Sequence, residues 1–276
     1  MTTTTTIAAP AEEHLENGYA PATPAGDNLL LDFARGEAEA FGVIVDALGG
    51  RVEHDSEYGA HLRDSGRPTP FANAALLSRP IAEGEVDGLV GRLRSFFGGT
   101  TGGPYMVFSP FPIADLSTHG FAPVGHPPLM LRPAGGTAPL ADGLHIVAAH
   151  DAATLADFEQ TLVEAYPIPE MQPWHHADFL RTAALDSQWR FFVGYENDRA
   201  VATAAAYVTP TVNIVELVSA RPECRGKGYG AALTAAATLT EPDRPAMLIA
   251  SDLGRNVYAR LGYTSILRHT LWLGIR

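Results

Sequence analysis

Between Glu216 and Gly230 the chain runs ELVSARPECRGKGYG, an apolar strand end, an arginine- and proline-bearing linker, and three alternate glycines, Gly226, Gly228 and Gly230. The glycines open an alanine-rich segment, Ala231 to Leu239. Without Cβ atoms they let a ligand approach the backbone closely, and the unpaired amides and positive dipole end of the helix that follows favour an anion. Arg225 and Lys227 add positive charge at the same place. The chemistry this suits is the binding of a pyrophosphate. Just upstream, Glu216 sits in the otherwise apolar run NIVELV. A carboxylate there is costly to bury alone, so it is either ion-paired or held where a raised pKa is useful.

Spacing sorts the phosphate-binding alternatives. A P-loop requires Gly-Lys followed by Ser or Thr, whereas Lys227 is followed by Gly228. A dinucleotide fingerprint is formally met by Gly226, Gly228 and Ala231, with Asp252 beyond, but that turn leaves its strand directly. Here seven residues, Pro222 among them, separate Val218 from Gly226, and too little chain follows for a doubly wound sheet.

The segment resembles the acetyl-CoA loop of the GNAT acyltransferase superfamily, whose pattern is Arg or Gln, two residues, Gly, one residue, Gly or Ala. Arg225, Gly228 and Gly230 match it, and Pro222 stands where a proline often precedes the loop. Downstream, IASDLGRNVYARLGY (Ile249 to Tyr263) is similar to the family's last strand-helix-strand connection. The resemblance implies a mixed α/β fold in which two strands part and hold the pantetheine arm. The strand-end contacts would come from Val218, Ser219 and Ala220. Those to the pyrophosphate would come from Arg225, Gly226, Lys227, Gly228, Tyr229 and Gly230.

It further implies that Tyr258 is the general acid for the departing thiolate, its bland alternative being a packed helix tyrosine. Ser251 occupies the place of a family Asn that touches the cofactor. Glu216 falls on the strand where members carry a base for the acceptor amine, with the structural ion pair left open beside it. The acceptor pocket is expected in the loop Tyr166 to His176, with Glu170 and Trp174 as substrate contacts. The adjacent His175 and His176 lack the second spaced group a metal site needs, so no metal is expected. Transfer from acetyl-CoA to a primary amine in one ternary complex, without an acyl-enzyme, is the activity implied (EC 2.3.1 type). A non-catalytic acyl-CoA-binding protein of the same fold is the alternative, and the acyl chain and the acceptor stay open.

Composition fits this. The chain has 276 residues, 46% apolar and 18% charged, enough for two ordinary domains. A net charge of −12 argues against a nucleic-acid surface, and no apolar run approaches the roughly 20 residues that span a bilayer. The single Cys224 excludes an internal disulfide and suits a reducing cytoplasm. Residues 1–27, rich in Thr, Ala and Pro, read as a disordered tail. Monomer and homodimer are both compatible with the chain.

The elements that must position these groups follow from periodicity. Helices are expected over Leu29 to Leu48, Glu85 to Phe97, Ala152 to Tyr166 and Trp174 to Leu185. Strands are expected at Ala72 to Leu77, Pro104 to Ser109, Leu144 to Ala148, Trp189 to Gly194, Ala200 to Val208, Thr211 to Val218, Ala246 to Ala250 and Tyr263 to Leu273. The chain also repeats. Met106 to Leu131 lies on Leu248 to Leu273 without a gap: Ser109 falls on Ser251 and Gly120 on Gly262, so the offset, 251 − 109 or 262 − 120, is 142 at each. NAALLSRP (Asn73 to Pro80) echoes NIVELVSARP (Asn213 to Pro222). Two tandem copies are expected, 28–135 and 143–276, able to share a continuous sheet. Opposite the basic glycine loop the first copy has IAEGEVDGLVG, with Glu83, Glu85 and Asp87 where phosphates would sit, and opposite Tyr258 it has Leu116. It is expected to keep the fold and lack the cofactor site.

Overall fold

The computed structural model describes residues 28–99, 103–139, 141–166 and 168–275. The expected tail, residues 1–27, lies outside them. The first half runs α1 (Leu29–Ala47), β1 (Arg51–Asp55), β2 (Ala60–Asp64), β3 (Asn73–Leu77), α2 (Val86–Phe97), β4 (Tyr105–Ser109), β5 (Ala122–Gly125) and β6 (Pro128–Arg132). The second runs β7 (His145–Ala148), α3 (Ala152–Ala165), β8 (Trp189–Glu196), β9 (Arg199–Val208), β10 (Asn213–Ala220), α4 (Tyr229–Thr238), β11 (Ala246–Ile249), α5 (Asp252–Arg260), β12 (Thr264–Arg268) and β13 (Thr270–Gly274). None of the helices among the described residues is long and apolar enough to cross a membrane.

Two mixed sheets form rather than one continuous sheet. One has the order β1-β2-β3-β4-β13-β5 and the other β12-β6-β11-β10-β9-β8-β7. Each half therefore lends its own last strand to the other's sheet: β13 lies between β4 and β5, and β6 between β11 and β12. The internal repeat explains why this works. Strands β6 and β13 stand at the same offset, Pro128 on Thr270 and Arg132 on Gly274, so each fits the slot its counterpart would fill. Where the two exchanged strands leave their own halves, equivalent residues touch: the His269 N–H donates to the Pro127 carbonyl at 3.0 Å, and Arg268 Nη1 to the His126 carbonyl at 2.7 Å. Contacts between equivalent positions mark a pseudo-twofold axis, as in an isologous dimer.

Two expectations are corrected here. Tyr263 to Leu273 is not one strand: it breaks at the fully buried His269, and its two parts pair in different sheets. Trp174 to Leu185 is not a helix but turns ending in a short 3-10 segment, Thr182–Asp186. The buried Glu159 on α3 accepts backbone N–H groups of Ala177 (2.8 Å), Phe179 (2.7 Å) and Leu180 (3.0 Å). Amides satisfied by a carboxylate need no helical carbonyls, and that partner cannot be seen in local periodicity. Strands β1 and β2 had no sequence expectation; β1 is largely exposed and lacks an apolar alternation.

Helix α1 joins the two halves. Ala34 and Ala38 pack on Leu76 of the first sheet, while Phe33, Phe41 and Ile44 enter the core of the second half with Phe158, Trp189 and Ile214. The Trp189 indole N–H donates to the Ala40 carbonyl at 2.9 Å. A Cβ on Gly36 would stand 2.6 Å from Ile214 Cδ1, so glycine there lets α1 lie close against β10. The consequence is positional: α1 carries Glu37 and Phe41 to the flank of Glu216.

Candidate active site

Strand β10 is paired to β9 on both sides of a bulge but to β11 only at Asn213↔Ala246 and Ile214↔Met247. A bulge between Glu216 and Ser219 then turns it away, with Leu217 in the left-handed region at φ +54°. The Thr203 hydroxyl fastens the bulge, donating to the Leu217 carbonyl at 2.9 Å and lying 2.7 Å from Ser219 Oγ. The strands part as a result. A cleft of about 540 Å3 opens, floored by Val218, Ser219 and Ala220, with the glycine loop and the start of α4 on one side and α5 on the other.

The loop is shaped for an anion. Gly226 and Gly228 both have positive φ, +81° and +85°, and Gly228 is the N-cap of α4 with no side chain capping the helix. The first-turn amides of Tyr229, Gly230 and Ala231 are left for a ligand. Arg225 lines the cleft, its Nε donating to the Ala220 carbonyl (3.2 Å) and Nη2 to the Ala165 carbonyl (3.1 Å). Lys227 turns elsewhere: its ammonium holds Glu196 at 2.8 and 3.0 Å, and the Tyr229 hydroxyl donates to that same carboxylate. Those bonds hold the Glu196 carboxyl below its usual range. The charge of Lys227 is thus paired with Glu196 at the surface, whereas its backbone belongs to the loop.

On the facing wall, Ser251 caps α5, its Oγ accepting the Gly254 N–H at 3.1 Å while the residue lines the cleft. Tyr258 lies two turns along from Ser251, its ring folded back over Gly254. A Cβ at Gly254 would stand 2.7 Å from Tyr258 Cε2 and 3.0 Å from its hydroxyl. Burial, with the nearby Tyr166 and Glu216, raises the Tyr258 pKa well above the ordinary phenol range, so its proton stays on.

A second, small cavity of about 50 Å3 adjoins the first and shares Tyr166 with it. It is lined by Phe41, Thr69 and Phe71 from the first half and by Leu162, Ile168, Phe179, Glu216 and Leu217 from the second. Glu216 keeps part of its surface open to this space. Burial pushes its pKa up to about 8, Glu37 adds to the rise, and Arg63 and the Leu217 N–H oppose it. Glu37 and Arg63 are themselves a buried bidentate pair, at 2.9 and 3.2 Å, supplied by the first half. Tyr166 is pushed up to about 12 by burial and by Glu216.

Tyr258, Glu216, the β10 residues, the glycine loop and Ser251 are therefore gathered around two adjoining spaces that share Tyr166. Glu170 and Trp174 are not. Glu170 is exposed, and Trp174 packs against the main core. Among the described residues no group of three or more His, Cys, Asp or Glu is placed to hold a metal. Sequence reasoning missed Phe41, Thr69 and Phe71, which lie over 140 residues before Glu216 in the chain. Nothing local marks them. The corresponding place in the first half is built differently: Glu85 accepts the Ala82 N–H (2.8 Å) before α2 and pairs with Arg79 (2.7 Å). Strands β3 and β4 stay paired over three residues, Ala74 to Leu76.

Comparison with known proteins agrees with this geometry. Residues 187–265 match the family model described as Acetyltransferase (GNAT) domain. A GCN5-related N-acetyltransferase from Kribbella flavida superposes with a TM-score of 0.67 at 19% identity, covering 90% of this chain and 96% of its own. A functionally unknown conserved protein from Staphylococcus epidermidis gives 0.59 at 14% identity, over 83% and 95% of the two chains. A GCN5-related N-acetyltransferase from Sphaerobacter thermophilus gives 0.51 at 14% identity, over 89% and 93%. No curated protein matches the sequence. Residues 187–265 thus match the GNAT domain, and the chain as a whole has the GNAT fold in tandem.

Proposed function

We propose that this GNAT-fold protein is an acetyl-CoA-dependent N-acetyltransferase acting on a primary amine, with its chemistry in the second half and no cofactor site in the first. The observation that carries this is the parted pair β10 and β11, whose exposed strand edge leads straight to a glycine-opened helix N-terminus. The residues fit the cofactor. The β10 edge at Val218 to Ala220 offers backbone groups to an amide-bearing arm, and the Gly226 to Ala231 turn offers amides to a diphosphate. When bound, acetyl-CoA supplies an activated thioester carbonyl.

The protein's own residues then do three things. The bulge aims Glu216 at the small cavity, where its raised pKa suits it to take a proton from an ammonium that must become a free amine before attack. Tyr258 keeps its proton in the cleft wall and can release it to a departing thiolate, in keeping with the general-acid role. Cys224 beside the loop is buried, and direct transfer needs no side-chain nucleophile. Tyr258→Phe tests the assignment. The expected result is a fall in kcat of about 10²-fold, with acetyl-CoA affinity by calorimetry unchanged. Absence of any heat with acetyl-CoA refutes the cofactor site. Binding without turnover on any amine, in wild type and variant alike, makes the protein a binder rather than an enzyme.

A further inference from the structure

The small cavity beside Glu216 has walls from both halves and a size that restricts what it holds. We propose that it is the acceptor slot, that Phe71 and Thr69 of the first half determine its selectivity, and that it takes an unbranched aliphatic amine in preference to a ring. This rests on the acyltransferase reading above.

Its volume, about 50 Å3, sets the first limit. A water takes about 30 Å3 of liquid, and an apolar cavity of about 150 Å3 is what accommodates benzene. The slot therefore has room for about two chain carbons and not for a sugar or an aryl ring. Its lining sets the second limit: Phe41, Phe71, Ile168 and Phe179 give an apolar sleeve, and the polar side chains are Glu216, Thr69 and the shared Tyr166. Thr69 is fully buried, and its hydroxyl has no hydrogen-bond partner among the described residues. A buried hydroxyl without a partner is costly, and an amine N–H donated to it would remove that cost while a second N–H meets Glu216.

The slot is also held in shape. Ser65 N–H and Oγ both donate to Asn73 Oδ1, at 3.0 and 2.9 Å, and Asn73 Nδ2 donates to the Arg67 carbonyl at 2.8 Å, which fixes the loop carrying Thr69 and Phe71. Arg67 pairs with Asp178 at 3.4 Å, tying that loop to the turn that carries Phe179. The Phe71 ring meets Tyr166 edge-on, with centroids 5.4 Å apart, at the wall shared with the cofactor cleft. The first half, whose own glycine loop is missing, thus serves as one side of the acceptor site.

The test compares ethylamine, propylamine and butylamine with benzylamine, cyclohexylamine and glucosamine at saturating acetyl-CoA. Each methylene buried should raise kcat/KM by about fourfold until the slot is full, with the ring amines at least about tenfold below propylamine. Phe71→Ala should narrow that gap by removing one wall, and Thr69→Val should raise the KM for every amine, with acetyl-CoA affinity unchanged in both. Ring amines that match or exceed the linear ones, or a selectivity unaltered by Phe71→Ala, overturns the proposal. Calorimetry of propylamine against the CoA-saturated protein reads the slot without turnover. Binding that Phe71→Ala weakens supports it, and no binding overturns it, while the separate acetyl-CoA titration shows whether the cofactor site itself has failed.

Discussion

Replacing Glu216 by Gln tests the base and its electrostatic setting together. The carboxyl is pushed up to about 8 by burial and by Glu37, against the opposing Arg63 and Leu217 N–H. At pH 7 only about one molecule in ten then carries the ionised base, and at pH 9 about nine in ten. With acetyl-CoA and amine both saturating, kcat of the wild type should rise about tenfold between those pH values and bend near 8. Free acceptor amine, titrating near 10, shows itself in KM rather than in kcat. Glu216→Gln should lower kcat on the order of 10²-fold and remove the bend, as thiol release followed spectrophotometrically would report. The same residue affects stability. Its folded pKa lies above the unfolded value of 4.5, so the folded state holds the proton more tightly and loses stability as pH rises from about 4.5 to 8. Gln has no such cost, and the variant should be more stable than wild type at pH 8, by on the order of 2–4 kcal/mol. A flat wild-type profile, or the same bend in the variant, refutes the reasoning.

Three other outcomes follow from particular contacts. Gly254→Ala improves helix propensity by about 1 kcal/mol, yet its Cβ displaces the Tyr258 ring; kcat should fall about tenfold or more with acetyl-CoA affinity little changed, measured by steady-state kinetics and calorimetry. Trp272, on β13, is buried in the core of the first half with Leu62, Tyr105 and Phe121. Trp272→Ala should cost about 3–5 kcal/mol, and limited proteolysis should begin within residues 60–125 although the substitution lies near the end of the chain. His269 is fully buried, both ring nitrogens lack partners among the described residues, and burial lowers its pKa to about 4. Its contribution is intact above the unfolded value of 6.5 and is lost as pH falls from there toward 4, by about 1.4 kcal/mol per pH unit. His269→Phe should remove that part of the acid dependence, read as the difference between the two proteins in thermal unfolding against pH.

Most of what is local is legible in the sequence. Gly226, Gly228 and Gly230 before an alanine-rich run signal an anion-binding helix start because backbone conformation and free amides are properties of neighbouring residues. Periodicity located α1, α2, α3 and the β8 to β11 strands for the same reason. The constant 142-residue offset showed two copies, since equal strands leave equal patterns.

What the tertiary structure alone decided is every relation between distant residues. Periodicity marks Tyr263 to Leu273 as apolar but carries no information about which sheet each part joins, and two equivalent strands can each fill the other's slot. A buried carboxylate, Glu159, replaced a helix by turns some twenty residues away. Glu216 was recognisable as an unusual carboxylate in an apolar strand, yet its pKa depends on Glu37 and Arg63, and its neighbouring cavity on Phe41, Thr69 and Phe71. Sequence determines which groups are present and the local backbone they favour. Solvent exclusion and electrostatic fields depend on the three-dimensional packing that brings remote segments together.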